Sequence, residues 1–396
     1  MEQHISLASP HMSEEGYELE YIKEAFATNM IAALGEHVTE LEKGIVNLTG
    51  AKKAVALSAG TAAMHMALKA AGIGQGDIVF CQSLTFSATA NPIIYEKAVP
   101  VFIDSDMESW NMCPKALELA FQKYEKIGKR PKAVIVVHLY GICAHIDEIV
   151  EICQNYKVPL IEDAAESLGT IYHGQHTGTF GDYGIISFNG NKIITSSGGG
   201  MLLINTENAD EREAKVRYWS TQAREPRRWY QHTEIGYNYR MGNIVAGIGR
   251  GQLQVLDRRI TKKREIFAYY QKHLGDLEGL HFMPILEGTR SNCWLTSILI
   301  DGNFNVKPLD LIEVLEKGDV ESRPIWKPLH LQPVFKECDF VSTVEEIFCV
   351  NAETGADTSI SGEIFHNGVC LPSDTKMTEA DLEYVCKIIT DLWRGK

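Results

Sequence analysis

Short apolar runs alternate with helical segments between residues 51 and 204, and this alternation limits the fold more than any other feature of the sequence. Short runs rich in β-branched residues are typical of buried strands, and they occur at residues 78–81, 99–103, 133–138 and 158–161. Helical spacing occurs between them, at residues 61–71 and 146–156. Strands separated by helices predict a mainly parallel sheet with helices on both faces. The ligand site of such a sheet lies at the carboxyl ends of its strands.

The rest of the chain predicts a second domain. The length of 396 residues favours two domains, since a domain usually has roughly 100–200 residues. Residues 244–263 predict one long helix that changes from apolar to basic, and beyond it come separate strands and helices (294–300, 309–317 and 379–393) and a polar loop over residues 345–362. We therefore predict an α/β fold, with a large domain at residues 1–263 that holds the parallel sheet and a smaller α+β domain at residues 264–396.

The composition argues against several classes of protein. The chain has 52 acidic and 38 basic residues and a net charge of −14, which argues against non-specific nucleic-acid binding but allows a local phosphate pocket. Nine cysteines with no C-x-x-C pair argue against a zinc ribbon or a disulfide scaffold and favour a reducing compartment. The N-terminus lacks the pattern of a signal peptide, and no run of about 18 apolar residues predicts a membrane span. We expect a cytoplasmic protein.

The segment at residues 186–201, ISFNGNKIITSSGGGM, holds one charged residue, Lys192, among small and apolar neighbours. Burial disfavours the ammonium form of a lysine, and a neutral amine can attack an aldehyde to form a Schiff base. The alternative is a lysine at a strand end that extends its ammonium into solvent. This segment alone leaves both interpretations open.

The segment at residues 159–169, PLIEDAAESLG, carries a predicted strand directly into Glu162 and Asp163. A carboxylate at the carboxyl end of a strand has the usual position of a catalytic residue in such a sheet. The alternative is an acidic N-cap for a following helix. The stretch from Asp163 to Lys192 is long enough for a hairpin-like excursion at residues 170–181 and a return strand, so both residues can reach one crevice.

Two further segments predict ligand contacts. Residues 58–66, SAGTAAMHM, form a strand-to-helix junction in which Gly60 and Thr61 expose backbone N–H groups and a hydroxyl; such a helix start binds phosphate, although an ordinary cap by Ser58 or Thr61 fits equally well. Residues 83–89, SLTFSAT, place Phe86 where it could stack on a planar ring, although a single aromatic residue is more often part of a core.

Other motifs lack the structural context that a binding site of their kind requires. GIGQG at residues 72–76 and GIGRG at residues 247–251 do not lie between a strand and a helix, so they do not indicate a dinucleotide site, and an NAD-dependent dehydrogenase is disfavoured. His173 and His176 lie in a predicted turn with no third ligand nearby, and we predict no metal. His138 ends a core strand and is interpreted as a hydrogen-bonded core histidine.

Taken in order, these segments resemble the DegT-type nucleotide-sugar aminotransferases, which belong to fold type I of the pyridoxal 5′-phosphate (PLP) enzymes. The motifs follow the family's order: SAGTAA, LTFSATANP, VVHLYG, IEDAAES, SFNGNKIITSSGGGM, GYNYRM, RPIWKPLH and CLPSDTKMT. Each motif is only moderately specific, but eight motifs in this order leave little room for coincidence. The resemblance extends over nearly the whole chain.

The resemblance implies a role for each matching cofactor residue. Lys192 matches the lysine that forms the Schiff base with PLP, Asp163 matches the residue that pairs with the pyridine nitrogen, and Glu166 matches a residue near the ring hydroxyl. The other implied cofactor contacts are the phosphate-binding Gly60, Thr61 and Ser187, the stacking Phe86, and Asn238, which reaches the phosphate of the neighbouring subunit. The role of Asn238 implies a homodimer with shared active sites.

The resemblance also implies a nucleotide-sugar substrate and an amino-acid donor, most often glutamate. The implied substrate positions are Asn29, Met30, Ile31 and Ala32 in an N-terminal segment and Trp326, Lys327 and His330 in a loop of the small domain. STQAREP at residues 220–226 and RPIWKPLHLQP at residues 323–333 are most similar to enzymes that aminate C4 of a UDP-linked 2-acetamido-2,6-dideoxy-4-keto-hexose for polysaccharide or glycan sugars. Four positions depart from the family's pattern: Ala59 replaces a common serine, Met30 an aromatic residue, Ala33 a proline and Cys293 a frequent arginine.

Two related functions remain as alternatives. A PLP-dependent sugar dehydratase of the same family would carry histidine at the position of Lys192. A catalytically silent regulatory homologue would have lost the lysine or the carboxylate. Because this chain has both Lys192 and Asp163, the resemblance favours the aminotransferase.

Overall fold

The computed structural model describes residues 4–344, 357 and 359–395. Its strands are β1 Lys53–Leu57, β2 Ile78–Gln82, β3 Val99–Ile103, β4 Pro131–Val137, β5 Leu160–Asp163, β6 Ile171–Tyr172, β7 Gln175–His176, β8 Tyr183–Ser187, β9 Gly200–Ile204, β10 Leu280–Phe282, β11 Thr289–Arg290, β12 Thr296–Ile300, β13 Arg323–Pro324, β14 Asp339–Val341 and β15 Gly368–Leu371. Its α-helices are α1 Tyr17–Ala27, α2 Glu36–Thr49, α3 Gly60–Ala70, α4 Asn91–Tyr95, α5 Pro114–Lys126, α6 Ile146–Tyr156, α7 Ala209–Ser220, α8 Asn243–Leu253, α9 Leu256–Leu274, α10 Pro308–Lys317, α11 Ile360–Asn367 and α12 Glu379–Arg394.

The predicted parallel sheet is confirmed. Among the described residues it has eight strands in the order β1-β9-β8-β5-β4-β2-β3-β14. The strands from β8 to β14 run parallel, and β9 pairs antiparallel with both β1 and β8. The order of successive strands reverses between β2 and β4, because β3 lies on one side of β2 and β4 on the other. Sheets of this class bind ligands near such a reversal.

Strand β4 shows why the sheet is covered on both faces. Ala133 and Ile135 pack in a core cluster with α3, whereas Val134 and Val136 pack in a second cluster with α5 and α6. Successive side chains of a strand point to opposite faces of the sheet, so a strand that is apolar at every position is buried on both faces. This burial explains the apolar run that predicted the strand.

A smaller antiparallel sheet of four strands, in the order β10-β12-β15-β13, is built from described residues of the C-terminal part of the chain. Helices α10 and α12 and the second half of α9 pack on it in a separate core cluster. Residue 263 lies inside the continuous helix α9, and β14 hydrogen-bonds to β3 of the large sheet. The division of the chain at residue 263 therefore stays a prediction.

Two local predictions differ from the structure. The single helix predicted at residues 244–263 is wrong, because the chain breaks between α8 and α9. The absence of a side chain at Gly251 allows α8 to lie close to α1, since a Cβ there would lie 2.7 Å from the backbone nitrogen of Glu18. The second half of α9 packs on the smaller sheet. Of the loop predicted at residues 345–362, residues 345–356 and 358 lie outside the described residues, and its end from Ile360 onward begins α11.

Candidate active site

A cavity of about 330 Å³ lies at the carboxyl ends of β4, β5 and β8. This volume is within the usual range for small-molecule sites, roughly 300–1,000 Å³. The predicted residues that line it are Gly60, Thr61, Phe86, Asp163, Glu166, Ser187, Lys192 and Trp326. Residues separated by more than 260 positions in the sequence therefore meet at one place, which is the edge of the sheet that the strand pattern predicted.

Lys192 lies in the loop between β8 and β9, and its side chain is only 13% exposed. Its Nζ lies 3.0 Å from Glu166 Oε1 and 4.2 Å from the centroid of the Trp294 ring. A lysine ammonium is attracted both by a carboxylate and by the face of an indole ring. The structure thus places this lysine inside the cavity and not in solvent.

Asp163 is the last residue of β5 and is buried. Its Oδ2 accepts a hydrogen bond of 2.7 Å from Thr89 Oγ1, and its Oδ1 accepts one of 3.2 Å from the backbone N–H of Ala165. Burial raises the pKa of Asp163, although the hydrogen bonds from Thr89 and Ala165 act in the opposite direction. No α-helix begins in the described stretch 164–182, so Asp163 is not a helix N-cap.

Glu166 connects three parts of the site. Its Oε1 accepts from Lys192, its Oε2 accepts a hydrogen bond of 2.8 Å from the backbone N–H of Tyr140, and its carbonyl accepts one of 2.8 Å from Asn292 Nδ2. Burial raises the pKa of Glu166, and the nearby ammonium of Lys192 opposes this effect. Glu166 therefore connects Lys192 to the backbone of Tyr140 and to the side chain of Asn292.

The first turn of α3 faces the cavity next to the end of β8. The N-cap residue is Ala59, and no side chain of the described residues caps this end of the helix. The N–H groups of the first turn are therefore available to an anion. A Cβ on Gly60 would lie 3.2 Å from Cβ of Ser187. The absence of a side chain on Gly60 keeps this corner of the cavity open.

Several predicted site residues do not line this cavity. Asn29, Met30, Ile31 and Ala32 form an exposed segment after α1, where Asn243 binds the carbonyls of Met30 and Ala32. Asn238 is exposed and pairs with Thr221. Their predicted roles, including the contact of Asn238 with a second subunit, stay predictions.

A second cavity of about 500 Å³ lies beside the first and shares Asn191, Trp294 and Trp326 with it. Lys327 lines this second cavity. His330 lines neither one; instead its ring binds Ser83 and Asp357. Of these three predicted substrate residues, Trp326 therefore lines both cavities, Lys327 lines the second, and His330 lines neither.

Sequence reasoning missed some residues that shape the site. Thr85 and Thr89 form a hydrogen-bonded chain to Asp163, with 2.9 Å between their Oγ1 atoms; their spacing within the segment at residues 83–89 was the available signal. Trp294, whose ring lies against Lys192 and whose Nε1 donates to the carbonyl of Asn191 at 2.7 Å, had no signal beyond its apolar character.

Neither a membrane span nor a metal site emerges from the described part of the chain. No helix there is long and apolar enough to cross a bilayer. No group of three or more histidine, cysteine, aspartate or glutamate side chains is placed there to hold a metal ion.

Comparison with known proteins identifies the family. Residues 12–390 match the DegT/DnrJ/EryC1/StrS aminotransferase family. EpsN of Bacillus subtilis (strain 168), provisionally named a pyridoxal phosphate-dependent aminotransferase, is 50% identical over 99% of this chain and 97% of its own. The GDP-perosamine synthase of Caulobacter vibrioides is 34% identical over 96% of each chain.

A solved structure agrees with this relationship. The crystal structure of a DegT DnrJ EryC1 StrS aminotransferase from Brucella abortus superimposes with a TM-score of 0.84 at 28% identity, covering 96% of this chain and 95% of that one. The predicted PLP fold type I architecture is therefore confirmed. Family, relatives and fold agree, and the chain belongs to the DegT/DnrJ/EryC1/StrS aminotransferase family as a PLP-dependent sugar aminotransferase.

Proposed function

We propose that the enzyme transfers an amino group from glutamate to the C4 keto group of a nucleotide-linked 4-keto-6-deoxy sugar, UDP-2-acetamido-2,6-dideoxy-4-keto-hexose, for polysaccharide or glycan sugar biosynthesis. The observation that carries the proposal is that Lys192, Asp163 and the open first turn of α3 meet in one cavity. A relative that makes a GDP-linked amino sugar, GDP-perosamine synthase, supports a nucleotide-sugar substrate. The choice of UDP and of C4 rests on the resemblance of residues 220–226 and 323–333.

The residues of the cavity fit PLP. The open corner at Gly60 and Ser187 and the uncapped N–H groups of α3 suit a phosphate. Asp163 offers a buried carboxylate for a protonated ring nitrogen, and Phe86, with 57% of its surface exposed, offers a face for stacking. We assign Gly60, Thr61 and Ser187 to the phosphate, Phe86 to the ring face, Asp163 to the ring nitrogen, Glu166 to the side of the ring hydroxyl and Lys192 to the reactive carbon.

The chemistry divides between cofactor and protein. When bound, PLP supplies an electron sink that stabilises negative charge on the α-carbon of the amino acid. Asp163, ionised, holds a proton at the ring nitrogen, and Thr89 keeps the Asp163 carboxylate in place. Lys192 takes the proton from the α-carbon of the donor as a general base, and Glu166 and Trp294 hold its amine where that transfer takes place.

We also propose that the active enzyme is a homodimer. Asn238 and the segment at residues 29–32 lie outside the cavity of their own chain and are exposed, which is the arrangement expected if they complete the site of a second copy. In the same proposal, Trp326, Lys327 and His330 belong to the loop that faces the sugar, and Trp326 is the one that lines the main cavity.

The test combines a substrate panel with one substitution. Purified enzyme is given glutamate and UDP-, GDP- or dTDP-linked 4-keto-6-deoxy sugars, and the products are identified by mass spectrometry. We expect an amino sugar with the UDP-linked 2-acetamido substrate, and we expect Lys192→Ala to lose both turnover and the visible absorbance of the Schiff base between PLP and the lysine. Lys115→Ala, at an exposed position of α5, is the control and should behave as wild type.

Each alternative function predicts a different result in this test. Retained turnover in Lys192→Ala would refute the assignment of the lysine. A deoxygenated keto sugar without an amine would indicate a dehydratase, and PLP binding without turnover of any sugar would indicate a regulatory homologue. Amination of a GDP- or dTDP-linked sugar alone would keep the reaction and overturn the proposed substrate.

A further inference from the structure

His330 is surrounded by hydrogen-bond partners from distant parts of the chain. Its Nδ1 lies 2.6 Å from Ser83 Oγ, and its Nε2 lies 3.3 Å from Asp357 Oδ2. The ring stacks on Phe340 of β14 with 3.8 Å between centroids. The side chain of His330 is 8% exposed and that of Asp357 is 2% exposed, so the pair is largely buried.

The order serine, histidine, aspartate is also that of a hydrolytic triad, but the burial argues against such an activity. Ser83 is fully buried and its Oγ faces the histidine, so no substrate carbonyl can approach it. The same contacts do suit a lock between two segments, because buried hydrogen bonds hold a unique geometry when every partner is satisfied.

Ser83 begins the segment that leads to the cofactor cavity. The carbonyl of Ser83 accepts hydrogen bonds from the backbone N–H of Leu329 at 2.8 Å and of Thr85 at 3.0 Å. Thr85 contacts Thr89, and Thr89 donates to Asp163. The histidine is therefore connected to the buried carboxylate of the site by hydrogen bonds that are joined through the covalent structure of Ser83 and Thr85.

The same segment carries Phe86, which faces Trp326 from the loop that leads to His330. The two rings have centroids 5.5 Å apart, and the backbone N–H of Trp326 donates to Tyr140 Oη at 3.1 Å. Movement of the segment at residues 83–89 relative to this loop would separate the rings on one side of the cavity.

Asp357 anchors the outer end of the histidine. Its carboxylate accepts hydrogen bonds from Ser359 Oγ at 2.7 Å and from the Ser359 backbone N–H at 3.0 Å. Although burial raises it, hydrogen bonds from His330 and Ser359 lower the pKa of Asp357 to about 2. An ionised carboxylate at Nε2 favours a proton on that nitrogen and leaves Nδ1 to accept from Ser83.

We propose that His330 is a positioning residue that locks the segment at residues 83–89 to the loop at residues 323–330, and thereby sets the places of Phe86 and of the Thr89–Asp163 pair. The roles of Phe86 and Asp163 toward PLP in this inference rest on the proposed function. The lock itself is a property of the protein without PLP.

The experiment compares His330→Ala with His330→Asn, whose side-chain oxygen can still accept from Ser83. Hydrogen exchange of the amides at residues 83–89 is measured in the PLP-free protein, and PLP affinity is measured by titration of the visible absorbance. For His330→Ala we expect faster exchange confined to residues 83–89 and the adjoining loop, and PLP binding weaker by about tenfold, the size expected when a buried hydrogen bond is left unmade. His330→Asn should recover most of both. His281→Ala is the matched control, because His281 pairs with Asp301 at 2.9 Å on an exposed surface of the smaller sheet.

Three results would overturn the lock. They are unchanged exchange at residues 83–89 in His330→Ala, exchange that rises equally in β10 and β12, and a His330→Asn variant as impaired as His330→Ala. If His330→Ala does not fold, Ser83→Ala removes the same hydrogen bond from the other side and must show the same local exchange. A wild-type protein that binds no PLP would refute the proposed function, while the exchange data would still decide the lock.

Discussion

Lys263 provides a quantitative test of how the protein holds a buried charge beneath its active site. The residue lies on α9, is 4% exposed, and donates a hydrogen bond of 2.8 Å to the carbonyl of Trp294. Burial lowers the pKa of Lys263 from 10.5 to about 8, although Asp374 acts in the opposite direction. The native protein therefore releases this proton at a lower pH than the unfolded chain does.

The sign and size of the change in stability with pH follow from the difference in bound protons between the native and the unfolded protein. Between about pH 8 and pH 10.5 the unfolded chain binds more protons than the native protein, so the contribution of Lys263 to stability rises with pH. At about 1.36 kcal/mol for each pKa unit, the full change is roughly 3 kcal/mol. Lys263→Met removes the titrating group and keeps an apolar side chain of similar length. The free energy of unfolding of wild type minus that of Lys263→Met should therefore increase by roughly 3 kcal/mol across this range.

The assay is urea unfolding of the PLP-free proteins at a series of pH values from neutral to strongly alkaline, with linear extrapolation to water. Lys272→Met, at an exposed position of the same helix, is the matched control, and its difference from wild type should stay flat. A difference for Lys263→Met that stays constant or decreases as the pH rises would refute the argument that burial has weakened the proton affinity of this lysine.

Two further substitutions test other parts of the site. Asp163→Asn should weaken PLP binding and should stabilise the PLP-free protein at neutral pH. Because the pKa of Asp163 is raised in the native protein, the wild type loses stability as the pH rises through this pKa, whereas Asn does not titrate. In urea unfolding the stability gained by the variant should decrease toward acid pH, and no gain at neutral pH would contradict the reasoning. Gly200→Ala should lose about 1–3 kcal/mol of stability, because its Cβ would fall on the backbone of Ala59 and Gly60. A Cβ at Gly198 would meet no atom of the described residues within 4 Å, so Gly198→Ala is the control, and equal urea midpoints for the two variants would be inconsistent with this packing.

Much of the architecture could be predicted because it depends on local patterns. A short β-branched run such as the one at residues 133–138 predicts a buried strand covered on both faces, and β4 confirms this prediction. The prediction that Asp163 and Lys192 reach one crevice follows from the same logic, and both line the cavity. Their roles toward PLP remain proposals.

Other features could not be read from local patterns. The close approach of Gly251 in α8 to α1 and the pairing of β14 with the distant strand β3 both join segments that are far apart in the sequence. A repeat of apolar residues indicates that a segment is buried, but it does not indicate which other segment packs on it.

His330 shows most clearly the difference between what the sequence determines and what the tertiary structure determines. The sequence by itself determined that a histidine follows RPIWKPL in a loop near the site, and the resemblance placed it against the sugar. Tertiary structure decided that its ring meets Ser83 and Asp357, while a contact with the sugar stays a proposal. The periodicity of a strand depends on neighbouring residues. The partners of a side chain depend instead on the packing of elements that are far apart in the chain, and a small change in the direction of one element replaces one partner by another.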